Sequence, residues 1–317
     1  MGQVTIPPSG EQWTISAPAD ERGPGAVAII TQVGGGIRVL KVGGEPVLHG
    51  YPLQSKADGG RGQLLMPWPN RIRDGKYTFD GVDQQLALTE PSRGNASHGL
   101  VRWALWTLEE LADTSVTLSY LLLPQQGWDA CLRIKVRYTV IGNGLEVATK
   151  VTNVGTAKAP FAYGAHPYLT TGETTVDEVT LTVPAGRTID VDDRLIPIGT
   201  SAVAEDADFR AARRIGSTVL DTAFTDLEPG DDGRWRVSIE RDDRRTTIWA
   251  DAGTFSYLQV FTGDSLSPER KRRSGVAVEP MSAPANAFAS GESLTVLQPG
   301  DVWSGTWGIS ASGRMPA

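Results

Sequence analysis

Three residues of this chain have the chemistry and the surroundings needed to move protons. His98 lies in the segment NASHGL and His166 in the segment YGAHPYL, and each has a glycine nearby that lets the backbone approach a ligand. Pro167 biases His166 toward an extended conformation. Glu279 directly follows the short apolar run VAV and precedes Pro280. A carboxylate and an imidazole that titrates near neutral pH can together perform general acid–base catalysis.

Each of these residues, taken alone, also fits a structural role. A histidine can occupy a turn or the core with its ring bonded to a backbone carbonyl, and this interpretation is preferred for His49 in the segment LHGY. A glutamate at the end of a strand is usually solvated. A catalytic interpretation of His98, His166 and Glu279 therefore depends on their combination with other polar groups.

A second set of residues has the chemistry of a sugar site. In MPWPNRIRDG, two prolines flank a tryptophan, and Asn70 and Arg71 follow with an amide and a guanidinium. Aromatic faces and planar hydrogen-bonding groups suit the C–H faces and hydroxyls of a sugar. In LDTAF, Asp221 stands shortly before an apolar pair. A rigid surface loop for the first segment, and a helix N-cap or turn for Asp221, fit equally well.

Charged clusters leave one question open. Four consecutive cations, Arg270–Arg273, lie just ahead of Glu279. Such a run is typical of a solvated loop, and this interpretation favours a neutral hexose as substrate. The alternative is a cationic rim for a phosphorylated or sulfonated sugar, whose anion arginine binds bidentately. The acidic clusters at 190–193 and 205–208 lack EF-hand spacing and are interpreted as solvated loops.

The elements that must position these groups are predicted to be strands. Apolar and polar residues alternate most clearly at 132–140 and 145–151, which flank the turn GNG and predict a hairpin. Further strands are predicted at 77–82 around an Asp-Gly turn, 116–123, 235–240, 246–250, 256–262 and 276–278, the last ended by its prolines. The best helical stretch, 209–215, is short. We predict an all-β fold, a large antiparallel β-sandwich with few short helices, as a single domain over residues 1–317.

Composition excludes several classes of protein. The 317 residues are 40% hydrophobic and carry a formal net charge of -7 with a pI of about 5.1, which argues against a nucleic-acid-binding surface. The single cysteine, Cys131, allows no internal disulfide and no cysteine-based zinc site. The polar N-terminal segment lacks the form of a signal peptide, and no apolar run reaches membrane-spanning length. A cytoplasmic protein without membrane or nucleic-acid partners is expected, and its oligomeric state stays open.

Five short motifs, in order along residues 70 to 281, resemble those of the aldose 1-epimerase (galactose mutarotase) family. They are PNRI, SHGL, AHPY, LDTAF and VEPM, which contain Arg71, His98, His166, Asp221 and Glu279. The best-studied members have asparagine where this chain has Ala165, threonine or serine where it has Pro167, and Thr-Gln where it has Pro280-Met281. These differences indicate a less-characterised bacterial branch of epimerase-like proteins.

The resemblance implies a galactose mutarotase-like supersandwich that acts on a small sugar without a cofactor or metal. It implies His166 as general acid, Glu279 as general base, and Arg71, His98 and Asp221 as sugar ligands, with Asn70 beside Arg71. Opening of the sugar ring needs a proton removed from the C1 hydroxyl and one delivered to the ring oxygen, here by groups on opposite sides of C1 and O5.

Three functions remain open from the sequence. The first is an aldose 1-epimerase that interconverts the anomers of a free hexose. The second is a hexose-6-phosphate or other anionic-sugar 1-epimerase with the same acid and base. The third is a sugar-binding or regulatory module, which would have no need of both His166 and Glu279.

Overall fold

Strands make up most of the regular structure of this protein. The computed structural model describes residues 6–21 and 23–313. The first strands are β1 (Gln12–Ala17), β2 (Ala26–Thr31), β3 (Ile37–Val42), β4 (Glu45–Pro46), β5 (Arg71–Arg73), β6 (Lys76–Phe79), β7 (Val82–Gln85) and β8 (Asn95–Ser97). The next are β9 (Thr107–Ala112), β10 (Ser115–Leu122), β11 (Leu132–Ile141), β12 (Gly144–Asn153), β13 (Ala159–Phe161), β14 (Tyr168–Thr170), β15 (Thr180–Thr182), β16 (Ala185–Val191) and β17 (Pro197–Ala202). The last are β18 (Arg213–Arg214), β19 (Asp221–Leu227), β20 (Arg234–Arg241), β21 (Arg244–Asp251), β22 (Tyr257–Phe261), β23 (Gly275–Met281), β24 (Thr295–Leu297) and β25 (Val302–Gly313).

Helical structure is sparse among the described residues. The α-helix is the single turn α1 (Ala287–Ser290), and three 3-10 turns cover Val176–Glu178, Glu205–Ala207 and Glu269–Lys271. No helix in residues 6–21 and 23–313 is long and apolar enough to cross a membrane.

Two large antiparallel sheets enclose the core. The nine-stranded sheet has the order β18-β15-β20-β21-β25-β12-β11-β10-β9, and the six-stranded sheet has the order β14-β23-β22-β19-β16-β17. A continuous apolar cluster contains side chains of both, such as Val147 and Ile248 from the first sheet and Leu258 and Val278 from the second. The predicted all-β antiparallel sandwich is therefore confirmed.

Period-two alternation predicted the strands because each has one buried and one solvated face. In β11, Leu132, Ile134 and Val136 are buried, while Arg133 and Lys135 between them are exposed. Strands β11 and β12 pair as the predicted hairpin, with Leu132 opposite Asn153 at one end and Ile141 opposite Gly144 at the other.

The helix predicted at 209–215 is wrong. This segment contains the short strand β18, which pairs with β15. Phe209 and Ile215 are buried, and the Arg213 guanidinium lies 3.8 Å from the centre of the Phe209 ring. Docking of these side chains and pairing with β15 outweigh the local helical preference.

The prediction that prolines end the strand after Val278 is also wrong, since β23 continues through Pro280 to Met281. Glu279 is therefore a buried residue inside the six-stranded sheet, opposite Gln259 of β22. The Pro280 carbonyl accepts a hydrogen bond from the backbone N–H of Ala165, so the backbone polar atoms of Pro280 face away from β22. Pro280 is tolerated because it removes no hydrogen bond from the ladder between β22 and β23.

Candidate active site

A cavity of about 460 Å³ lies beside strands β22 and β23 of the six-stranded sheet. All six residues that the sequence analysis nominated line its wall. These are Asn70, Arg71, His98, His166, Asp221 and Glu279. The structure thus brings together residues from β5, β19, β23 and the loops before β9 and β14.

His166 and Glu279 contact each other at the wall of this cavity. His166 Nε2 lies 3.2 Å from Glu279 Oε1, and the two side chains are only 6% and 3% exposed. The backbone of His166 is held by residues 62 and 63, because its N–H donates to the Gln63 carbonyl at 3.0 Å and its carbonyl accepts from Gly62 at 2.9 Å. The expected placement of the two groups on opposite sides of a sugar is not what the cavity offers, since they stand side by side. O1 and O5 of an aldose are bonded to the same carbon, so adjacent groups can serve both atoms.

Burial favours the uncharged form of each member of the pair. Desolvation, together with the nearby charge of Asp221, raises the pKa of Glu279 well above its ordinary value. Desolvation, together with the nearby charge of Arg102, lowers the pKa of His166 to about 3. Glu279 Oε2 and His166 Nδ1 are buried without a hydrogen-bond partner. A carboxylic acid beside a neutral imidazole carries the same number of protons as a carboxylate beside an imidazolium, so one proton shifted between them interconverts the two forms.

His98 is held so that it presents a hydrogen-bond donor to the cavity. The backbone N–H of His98 donates to the Asn70 carbonyl at 2.8 Å, and the backbone N–H of Asn70 donates to His98 Nδ1 at 3.2 Å. Both residues have positive φ, 63° for His98 and 55° for Asn70, a conformation in which histidine and asparagine are enriched. Burial lowers the pKa of His98. Because Nδ1 accepts a hydrogen bond, the neutral ring carries its proton on Nε2.

A chain of side-chain hydrogen bonds connects the other nominated residues. Arg71 Nη1 donates to Asn70 Oδ1 at 2.9 Å, Asn70 Nδ2 donates to Gln259 Oε1 at 3.3 Å, and Gln259 Nε2 donates to Asp221 Oδ1 at 2.7 Å. Arg71 also forms a two-pronged ion pair with Glu90, at 2.8 and 3.1 Å. The planar groups that face the cavity are therefore fixed before any ligand binds, which reduces the entropy lost on binding.

The His166 ring is packed closely by two neighbours. The ring of Tyr168 stacks against it with centroids 4.9 Å apart, and the Arg61 guanidinium lies 4.6 Å from the centre of the Tyr168 ring. Gly60, at φ +81°, approaches so closely that a Cβ there would stand 2.5 Å from His166 Cδ2. This close approach requires glycine at position 60. The packing restricts the ring to one orientation.

Comparison with known proteins identifies the family of this chain. Residues 20–310 match the aldose 1-epimerase family. The chain is 35% identical over 275 residues to the uncharacterized protein YihR of Escherichia coli (strain K12), a match that covers 86% of each chain.

The chain belongs to the aldose 1-epimerase family.

Solved structures of mutarotase-like proteins share its fold. The GalM/aldose epimerase homologue from C. elegans superposes with a TM-score of 0.82 at 19% identity, covering 96% of this chain and 99% of that one. The galactose 1-epimerase from Lactobacillus acidophilus NCFM superposes with a TM-score of 0.77 at 17% identity, with the same coverage of 96% and 99%. Family and fold together make this chain an isomerase-type enzyme of the sugar epimerases.

Three cations of the basic run, Lys271 to Arg273, are paired within the protein, and the side chain of Arg270 lies outside the described part of the structure. Lys271 pairs with Asp58, and Arg272 Nη1 lies 3.3 Å from Glu269. Arg273 binds Asp177 and Asp264 and also donates to the Gly216 carbonyl. Each of the three cations is therefore compensated by a carboxylate. These three cations hold neighbouring loops together, so their charges do not indicate an anionic substrate.

Two other predictions also have structural outcomes. His49 lies outside the cavity wall, where its Nδ1 accepts a hydrogen bond from Arg61 Nε at 3.2 Å, in keeping with the preferred structural role. In the described part of the chain, no group of three or more His, Cys, Asp or Glu side chains is arranged to hold a metal ion. Neither acidic cluster therefore forms a metal site there.

Several wall residues were missed by sequence reasoning. Arg102 follows SHGL closely and precedes a tryptophan, a signal that could have been used. Tyr168 lies within the motif of His166, but nothing in that motif indicates that its ring stacks on the imidazole. Gln259 and Glu90 lie in segments without any distinguishing pattern, and only strand pairing and ion pairing place them at the site.

Proposed function

We propose that this chain interconverts the α and β anomers of a free aldose by general acid–base opening and closure of the sugar ring. The observation that supports the proposal is the buried contact between His166 Nε2 and Glu279 Oε1 in a cavity with fixed hydrogen-bond donors. A carboxyl group and an imidazole in contact, both accessible from one cavity, are the two groups that this reaction needs.

The proton transfers balance within the pair. During opening, Glu279 as carboxylate takes the proton of the C1 hydroxyl, and His166 as imidazolium delivers a proton to O5 while the C1–O5 bond breaks. The pair is then a carboxylic acid beside a neutral imidazole, the form that burial favours. After rotation about C1–C2, O5 attacks the aldehyde carbon and both transfers reverse. The number of protons on the pair is the same before and after the reaction.

The fixed donors stabilise the charge that develops as the ring opens. The His98 Nε2–H and the Arg71 guanidinium are held in place by Asn70 and Glu90 and can donate to sugar oxygens without rearrangement. Asp221 accepts a hydrogen bond from Gln259 and has further acceptor capacity for a sugar hydroxyl. General acid–base groups typically contribute about 10²–10⁴-fold each to a rate.

NMR exchange spectroscopy between α and β anomers tests the proposal directly. His166→Asn and Glu279→Gln should each lower kcat by at least ~10²-fold while the sugar still binds. A sugar-binding module would show no exchange above the rate in buffer with the wild-type chain. Near-wild-type exchange in either variant would refute the assignment of the pair.

A further inference from the structure

Two cations at the cavity wall differ from all the others there. Arg71 and Arg93 share the carboxylate of Glu90, so each of them already has an anionic partner inside the wall. Among the described residues, neither Arg102 nor Lys56 has an ion pair or a side-chain hydrogen bond, although both line the cavity.

These two cations flank one aromatic ring. The Arg102 guanidinium lies 6.0 Å and the Lys56 ammonium 5.8 Å from the centre of the Trp103 ring, which is 51% exposed. Lys56 is exposed, whereas Arg102 is half-buried, and burial lowers the pKa of its guanidinium. We call these three residues the cationic rim. It lies on the same cavity as the His166–Glu279 pair.

Arg102 is close enough to the reactive pair to act on it. Its positive charge is the largest charge effect that lowers the pKa of His166, and it also lowers the pKa of His98. A guanidinium that is partly withdrawn from water without a partner costs free energy, and no carboxylate or hydrogen-bond acceptor among the described residues offsets that cost for Arg102. Such a group is compensated when a ligand supplies the anion.

We propose that the aldose substrate carries an anionic oxo group, such as a carboxylate, phosphate or sulfonate, that binds Arg102 and is attracted by Lys56. The proposal rests on the proposed epimerase function and names the substrate class of the same cavity. It replaces the neutral hexose that was expected from a solvated basic run, because Arg102 has no partner among the described residues, whereas the described cations of that run, Lys271 to Arg273, are paired within the protein. Arginine suits this role, since its planar fork binds carboxylates, phosphates and sulfonates through two parallel hydrogen bonds.

The anion would also affect the chemistry. Burial is the main reason that the pKa of His166 is lowered, and the positive charge of Arg102 lowers it further. A negative charge beside Arg102 offsets this second contribution, so the imidazolium form becomes more accessible when substrate is bound. A neutral hexose does not supply this charge. Specificity for the anion is therefore expected in kcat as well as in KM.

Binding of unreactive sugars tests the substrate class separately from catalysis. The probes are the methyl glycosides of glucose, glucuronate, glucose 6-phosphate and 6-deoxy-6-sulfoglucose, which cannot open their rings, with Kd measured by calorimetry. A charge-assisted hydrogen bond corresponds to about 10- to 100-fold in affinity. At least one anionic glycoside should bind the wild-type chain at least ~10-fold more tightly than methyl glucoside, and the best of the three identifies the anion.

Variants assign the preference to Arg102. Arg102→Gln should reduce the anionic-to-neutral affinity ratio to near one, and Arg102→Lys should retain part of it. The matched control is Arg236→Gln, an equal change of charge at an exposed residue that binds Asp232 away from the cavity. This control should keep the wild-type ratio. Thermal unfolding of each variant identifies any that fails to fold, and Arg102→Lys then carries the test.

Exchange measurements with the corresponding free sugars separate the two proposals. Anomer exchange of neutral and anionic sugars at equal rates, with equal binding of the four glycosides, would overturn the anionic substrate and leave the epimerase function intact. Anionic preference in binding without exchange of any sugar would overturn the epimerase function and support the cationic rim. An equal loss for neutral and anionic sugars in Arg102→Gln would show that Arg102 acts only on His166, and would overturn the inference.

Discussion

Replacing Glu279 by glutamine is expected to stabilise the folded chain at neutral and alkaline pH while it removes anomer exchange. Glu279 is 2% exposed, its Oε2 has no hydrogen-bond partner, and burial and Asp221 raise its pKa well above the ordinary value of 4.5. Glutamine has nearly the same shape and carries no charge. The substitution therefore removes the cost of an ionisable group in a desolvated site.

The sign of the pH dependence follows from proton binding. Between pH 4.5 and the raised pKa of Glu279, the folded chain binds a proton that the unfolded chain has released, so stability falls as pH rises. The slope for one such group is about 1.4 kcal/mol per pH unit within that window. His166 acts in the opposite direction, because its pKa falls from 6.5 to about 3 and the unfolded chain binds the extra proton between these values. The contribution of His166 to the free energy of unfolding therefore rises with pH between about 3 and 6.5.

The assay is the free energy of unfolding in denaturant at pH 5, 6, 7 and 8, for wild type and Glu279→Gln. The free energy of unfolding of Glu279→Gln, relative to that of wild type, should increase by about 1.4 kcal/mol per pH unit. This increase should stop at the pKa of Glu279, above which the difference stays constant. The same comparison in a His166→Asn background removes the histidine from the measurement. Parallel curves for wild type and variant in both backgrounds would show that Glu279 titrates normally, and would refute the reasoning.

Three further outcomes are expected. Asp221→Asn should shift the alkaline limb of the kcat/KM–pH profile to lower pH, because it removes the negative charge that raises the pKa of Glu279; an unmoved limb would contradict this coupling. Arg71→Ala and His98→Asn should each raise KM at least several-fold, because each removes a hydrogen bond to the sugar worth about 1.5–3 kcal/mol. Steady-state kinetics measures this, and an unchanged kcat/KM would mean that the sugar binds elsewhere. Arg273→Gln should lower the free energy of unfolding by about 1–3 kcal/mol, because it removes charge-assisted hydrogen bonds to Asp177 and Asp264 at a half-buried site that water partly screens. A neutral result in denaturant would mean that these pairs contribute nothing to stability.

Local patterns in the sequence predict the strands but not where each one ends. Alternation of apolar and polar residues predicted the β11–β12 hairpin because each strand buries one face. The same local reasoning wrongly ended β23 before Pro280. The Pro280 carbonyl accepts a hydrogen bond from the backbone N–H of Ala165, and this contact between remote segments cannot be read from the local sequence. The helical preference of 209–215 failed for the same reason, because pairing with β15 is a tertiary interaction.

Residue type and order along the chain nominated the six polar residues that line the cavity, because each lies in a short motif with a recognisable chemical character. Their contacts could not be predicted. The position of His166 beside β23 places its Nε2 atom 3.2 Å from Glu279 Oε1. Desolvation in that position, with the nearby charges of Asp221 and Arg102, shifts both pKa values so that the neutral forms are favoured.

The sequence by itself determined the all-β class, because alternating apolar and polar residues reflect strands with one buried face. Five ordered motifs also carry the aldose 1-epimerase resemblance, which nominates the acid–base residues. The tertiary structure decided which charges are compensated. Arg273 finds Asp177 and Asp264 in other loops, while Arg102 finds no carboxylate in the described part of the chain. Ion pairing depends on distances between segments that are remote in sequence, and those distances exist only after the sheets have packed.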